Sequence, residues 1–316
     1  MSLPTNKKLF HTYMPAQKPS IALLTDHRYT AKQAREDDWY LGNILKDDHL
    51  LMQALEKRGI ASQRLDWADP KVDWATFDAI VFRTTWDYYE RIDEFSAWLK
   101  ETESKTRVLN SPGLIWWNMD KHYLADLEKS GVPIVPSVFV EKKSQLELSR
   151  ILDENDWAHA VIKPCISGGA WHTYLVNTEN APKISQIVQP LLENHAFLVQ
   201  PFLEDVRTTG EDTLMVFDGT VTHAVRKVPK PGDFRVQDDH GGTVHHHDAL
   251  PEQIQLAEKA MAACPSQPVY GRVDMVRNAA GKWVIMELEI IEPELWLRFD
   301  PKSAEVFADA LGRVVL

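Results

Sequence analysis

The sequence is poor in cysteine, in positive charge and in long apolar runs, and each shortage excludes something. Two cysteines in 316 residues, Cys165 and Cys264, cannot form a disulfide framework and fit a reducing, cytoplasmic setting. The net charge of −11, from 35 basic and 46 acidic residues, disfavours nucleic acid and anionic membranes as general partners. An anionic ligand would therefore need a local basic site. No apolar run is long enough to span a bilayer. The first 20 residues carry lysines but no apolar signal-peptide core, and residues 1–19 read as a loose arm. Internal repeats and low-complexity segments are lacking. Neither GxxxxGK[ST] nor GxGxxG occurs, which removes the P-loop and the dinucleotide fingerprint. What is left is a chain of ordinary globular composition, long enough for two or three domains.

The stretch that organises the rest is 270–291, YGRVDMVRNAAGKWVIMELEII. It predicts a strand over 269–276, a turn at Asn278-Ala279-Ala280-Gly281 and a second strand over 283–291. Asp274 falls inside the first strand; Glu287 and Glu289 fall inside the second. Carboxylates two apart on a strand share a face, and Asp274 lies across the hairpin from them. Three acids on one face would repel one another unless a cation sits between them. Oxygen-only ligands suit Mg²⁺, with Mn²⁺ as the alternative. Arg272, two before Asp274, shares that face.

Upstream, strands at 21–25, 61–66, 79–83 and 107–110 alternate with helices at 39–58 and 92–103. This predicts a parallel α/β domain over 20–110. The RTTWDYY loop follows the third strand, and loops at the carboxyl ends of parallel strands are where such domains bind ligands. Arg83, Thr84 and Thr85 are thus candidates for a substrate carboxylate, with Trp86 and Tyr88 as pocket walls. An arginine on a solvated loop is the plainer alternative. A helix expected over 118–130 puts Lys121 in its first turn, where a cation opposes the helix dipole. That hints at an anionic ligand, and an exposed surface lysine would look the same.

A strand at 158–163 ends in Lys163 and leads through Ser167-Gly168-Gly169 into a strand over 171–176. A glycine loop between strands folds as a flap over phosphates or is a plain hairpin. Pro201 in the strand 197–202 marks an edge, a bulge or a hinge. Strands at 211–217 and 220–228, a loop over 229–244 carrying Arg235, a helix at 250–263 and a closing helix at 302–311 complete the reading. His245, His246 and His247 are adjacent and do not converge on one zinc ion, and spaced partners are missing. Substrate contact or a plain loop remains for them.

In order, Lys121, Lys163 with its glycine loop, the strand Gln200-Pro201-Phe202, Glu211, Lys227, Arg235, Arg272, Asp274, Glu287 and Glu289 resemble the ATP-grasp ligases, in particular the glutathione synthetase-like and D-alanine–D-alanine ligase-like members. The resemblance covers roughly 111–300. The acidic ELEIIEPEL segment and the RTTWDY loop look like the branch containing the cyclo-ligase of D-cycloserine biosynthesis. One departure is Glu289, where the family usually has Asn.

The resemblance implies an N-terminal α/β domain followed by a two-subdomain ATP-grasp fold, α+β in character, divided at 111–199 and 200–316. It implies ATP and Mg²⁺, with Lys121, Lys163, Ser167, Gly168 and Gly169 at the phosphates and Gln200, Pro201, Phe202 and Leu203 at the adenine. Glu211 would bind the ribose, and Asp274, Glu287 and Glu289 the metal; Lys227, Arg235 and Arg272 are implied at the reaction centre. The implied reaction passes through an acylphosphate, joins a small carboxylate to an amine or similar nucleophile, and releases ADP and phosphate. Two alternatives stay open: a regulatory shell that holds nucleotide without turnover, and a phosphotransferase that stops at a phosphorylated product. A homodimer is compatible with all three.

Overall fold

The structure is a computed structural model that describes residues 18–233, 235–236 and 241–316. The expected arm falls almost wholly outside the described residues. β1 (Ser20–Thr25), β2 (Ala61–Asp66), β3 (Ala79–Thr84) and β4 (Arg107–Leu109) form a parallel sheet in the order β2-β1-β3-β4. α1 (Trp39–Lys57) and α2 (Ile92–Thr102) are its crossovers. α1 stops at Gly59, whose φ of +74° supplies the left-handed turn.

After α3 (Pro112–Asn118) and α4 (Tyr123–Lys129), a second sheet is antiparallel. Its strands are β5 (Val138–Val140), β6 (His159–Pro164), β7 (Tyr174–Asn177) and β8 (Phe197–Pro201), in the order β5-β8-β6-β7. α5 (Leu148–Asn155) and α6 (Ala181–Val188) cover it. Following the short α7 (Asp205–Thr208), a third sheet contains β9 (Glu211–Phe217), β10 (Thr220–Val228), β11 (Thr243–His247), β12 (Tyr270–Arg277) and β13 (Trp283–Glu289). Its order is β11-β10-β9-β12-β13, antiparallel throughout. α8 (Pro251–Ala262) and α9 (Ser303–Val315) pack on it.

The third sheet is apolar on both faces for much of its length. Leu214, Val216, Val273 and Met275 meet α3, α4 and α8. Met215, Phe217 and Tyr270, from the opposite face, share a core with β1, α1 and α9. That shared core fastens the parallel domain to the third sheet and fixes one wall of the cleft between them.

Several expectations change. The helix expected over 118–130 begins only at Tyr123, and Asn118 is the last residue of α3. Asn118 is drawn to the edge of β13, donating to the Leu288 carbonyl at 2.8 Å and accepting from the Ile290 N–H at 3.0 Å. The chain turns there, so Lys121 sits between helices rather than in a first turn. A division at 199/200 would cut β8, and α3 and α4 belong with the third sheet's core. Pro201 is the last residue of an interior strand, not an edge marker. The strand expected from 171 begins at Tyr174, because Ala170 and His172 both have positive φ. His245, His246 and His247 form an edge strand against β10 rather than a loop.

Candidate active site

The hairpin acids reach one cleft because they pair in register across β12 and β13, and a β-bulge follows them. Asp274 pairs with Glu287 and Arg272 with Glu289, but Met275 pairs with Ile285, so Met286 is the extra residue. In strict alternation Ile285 and Glu287 would share a face. The bulge lets Ile285 stay in the core while Met286, Glu287 and Glu289 line the cleft.

The cleft has a volume of about 350 Å³ and is bounded by the second and third sheets and by α1 and the segments that follow β1 and β3. Four carboxylates and four cations interlock along it. Lys121 Nζ lies 3.1 Å from Glu287 and donates to the Ser167 carbonyl at 3.0 Å. Lys163 Nζ lies 3.6 Å from the other Glu287 oxygen. Arg272 grips Asp274 through Nε (3.0 Å) and Nη2 (2.8 Å), and also bonds Glu289. Lys227 joins Asp274, at 3.1 Å, to Glu211. Trp296 lies under this cluster, its ring 5.3 Å from the Arg272 guanidinium carbon and 5.8 Å from Lys227 Nζ.

The electrostatics split the acids. Burial works to raise the Glu287 carboxyl, but Lys121 and Lys163 hold it down at about 2. Asp274 likewise stays below the usual carboxylate range, its burial outweighed by Arg272 and Lys227. Glu289 is pushed up to about 7 by burial, against the pull of Arg272 and with the help of Asp274 and Glu287. Two acids are therefore ionised, and the third is poised to ionise when more positive charge arrives. Asp274, Glu287 and Glu289 line this one cleft and carry only oxygen donors, the ligand chemistry of a hard divalent cation such as Mg²⁺.

The other residues implied for the nucleotide meet here too. Ser167, Gly168, Gly169, Gln200, Pro201, Phe202, Leu203 and Glu211 all line the cleft. Gln200 is fixed by Ser137 at 3.0 Å, and Val135, Val161, Leu203, Val206 and Met286 add an apolar slot. Gly168 lies so close to Tyr89 that a Cβ would stand 2.7 Å from the ring. Gly210 is equally constrained: its φ is +104° and a Cβ would lie 2.5 Å from the Lys227 carbonyl. Arg235 lines the cleft while holding Asp233 at 2.8 Å.

Arg83, Thr84 and Thr85 do not join them. Arg83 and Thr84 belong to β3 itself, and all three are buried. Arg83 Nε donates to Asp48 of α1 at 3.0 Å, and Thr84 donates to Thr25 at 2.6 Å. Trp86 and Tyr88 do line the cleft, as expected. Unanticipated were Arg28, Tyr29, Tyr40, Tyr89, Glu292 and Trp296. The rule that pointed to the loop after β3 applies equally to the loop after β1, which carries Arg28 and Tyr29.

Residues 129–268 match the model of the prokaryotic glutathione synthetase ATP-grasp domain, and residues 21–110 match that of the N-terminal domain of D-cycloserine synthetase DcsG. The cycloserine biosynthesis protein DcsG of Streptomyces lavendulae is 34% identical over 281 residues, covering 83% of this chain and 91% of that protein. The chain belongs to the ATP-grasp ligase family. It is an ATP-dependent ligase. A crystal structure of D-cycloserine synthetase DcsG matches this ATP-grasp chain with a TM-score of 0.82 at 33% identity, covering 94% of this chain and 100% of that one. The D-alanine–D-alanine ligase of Bacillus anthracis (TM-score 0.64, 16% identity, 94% and 96% covered) shares the fold. So does a RimK-domain ATP-grasp protein of Sphaerobacter thermophilus (0.64, 17%, 92% and 98%). Among the described residues, no helix is long and apolar enough to cross a membrane.

Proposed function

We propose that this ligase activates the carboxylate of a small amino-acid-like substrate as an acylphosphate and closes it onto an amine or similar nucleophile, in a ring closure of the cycloserine type. The observation that carries the reading is continuity: one cleft joins the lysine–acid cluster to the aromatic wall of the parallel domain. A substrate held at that wall can meet a phosphoryl group held at the cluster. The 34% identity to a cycloserine biosynthesis protein supports the ring-closing variant.

Lys121 and Lys163 leave Glu287 to grip phosphate oxygens of ATP. Asp274, Glu287 and Glu289 are the residues that would hold Mg²⁺ or Mn²⁺, which neutralises phosphate charge. A substrate carboxylate oxygen attacks the γ-phosphorus and ADP departs. Lys227 and Arg235 offset charge on the phosphoryl group in flight. The nucleophile then attacks the acyl carbon, and phosphate leaves carrying the original carboxylate oxygen. Arg272, braced by Trp296, stabilises the tetrahedral oxyanion.

The test is a screen of amino acids and small carboxylates for metal-dependent ADP release, followed by ¹⁸O labelling of the active carboxylate. Transfer of one ¹⁸O to phosphate is expected. Unlabelled phosphate, or a stable phosphorylated product, would overturn the acylphosphate route.

A further inference from the structure

The charges around the parallel-domain end of the cleft are nearly all accounted for by partners. Arg28 is held by Asp26 through two bonds of 3.0 and 2.6 Å. Arg298 is held by Asp47 at 2.6 Å and Glu294 at 2.7 Å. Arg272 and Lys121 are engaged by the acids described above. Glu292 differs. It lines the cleft, and among the described residues its carboxylate makes no ion pair, only a hydrogen bond to its own backbone N–H. Its backbone is pinned, because Trp86 Nε1 donates to the Glu292 carbonyl at 2.9 Å. Burial, reinforced by the charge on Glu289, pushes this carboxyl well above the usual range. A half-buried carboxylate that faces the cleft with no cation paired to it is a ready partner for a ligand's positive charge.

From this geometry we infer that Glu292, walled by Trp86, Tyr88 and Tyr89, binds the ammonium group of the substrate. The inference rests on the ligase reading above and names what the small substrate must carry. Aromatic rings argue for an ammonium over a second metal ion. Their faces attract an organic cation, whereas a hard divalent ion needs several oxygen ligands, which ring faces do not supply. The ammonium would give Glu292 its ion pair and set the substrate's orientation, turning its carboxylate toward the phosphoryl group.

The experiment uses the full chain saturated with MgADP and two probes, D-cycloserine and isoxazolidin-3-one, the same ring without the amino group. Calorimetry should show wild type binding the amino compound on the order of tenfold or more tightly, the scale of one buried charge-assisted contact. Glu292→Gln should bind both probes equally, and Glu292→Asp should retain part of the preference. MgADP titration of the same variants reports whether the nucleotide half is intact. Equal binding of the two probes by wild type would overturn the inference, as would an undiminished preference in Glu292→Gln. A loss of one bound Mn²⁺ in Glu292→Gln by electron paramagnetic resonance would also overturn it, in favour of a metal role. None of these readouts requires turnover, so a failure here is distinct from a failure of ADP release.

Discussion

Arg83 and Arg272 make an instructive pair. Each is an arginine in a β-strand, almost fully buried, and joined to an aspartate. Arg272 bonds Asp274, two residues along its own strand, so both side chains face the cleft together. Arg83 bonds Asp48, 35 residues earlier on α1, and lies 5.9 Å from the Phe307 ring of α9. Asp48 also holds Arg64 at 2.7 Å, so it ties β2, β3 and α1 into one unit. The same chemical pair thus faces the cleft in one place, where we propose it serves the reaction, and is a structural clamp in the other. Residue type does not separate them; the element that supplies the carboxylate does.

The largest effect should come from the reaction-centre side. Glu287→Gln should lower ADP formation on the order of 10²–10³-fold, since one oxygen ligand and the partner of two lysines are lost together. Metal-dependent ADP release measures this, and activity near wild type would sink the metal assignment. Arg272→Ala should cost kcat a similar factor while KM changes little, because its charge is needed only as the oxyanion forms. Arg83→Ala should do the opposite. Breaking a buried pair should cost about 3–5 kcal/mol of stability, read by urea unfolding, with kinetics little changed in the folded fraction. A raised KM with intact stability would erase the contrast between the two arginines.

Smaller effects sharpen it. Gly168→Ala should raise the KM for ATP roughly tenfold, since overpacking against Tyr89 costs about 1–3 kcal/mol. Trimming the ring with Tyr89→Ala should restore it. Hydrogen exchange at Ser167, Gly168, Gly169 and Ala170 should slow when a non-hydrolysable nucleotide is added, and no change at saturation would remove the flap. The least effect concerns pH. The folded Glu289 carboxyl titrates near 7 rather than at its ordinary 4.5. The folded protein therefore holds an extra proton between those values, and the stability this contributes fades as pH rises through that window. A divalent cation favours the ionised form, so Mg²⁺ affinity should climb with pH and level off above about 7. The slope should flatten in Glu289→Gln.

What sequence alone determined is everything governed by nearest neighbours along the chain. The period-two alternation and the turn at Gly281 specify the β12–β13 hairpin, and the two-residue spacing puts Arg272 with Asp274 and Glu287 with Glu289. Asp218-Gly219 specifies the β9–β10 connection in the same way. Lys163 and its glycine loop were also legible, because strand and loop chemistry are local. The tertiary structure decided the rest. Arg83 turns to Asp48 because α1 brings that carboxylate to β3. Lys121 sits in a turn because Asn118 bonds the edge of β13. The three histidines extend as a strand because β10 offers an unpaired edge. Glu292 and Arg28 reach one cleft because the core shared by Leu51, Phe217 and Phe307 fastens two domains together. In each case the deciding partner lies far away in the chain, so no local pattern encodes which face a side chain finally takes.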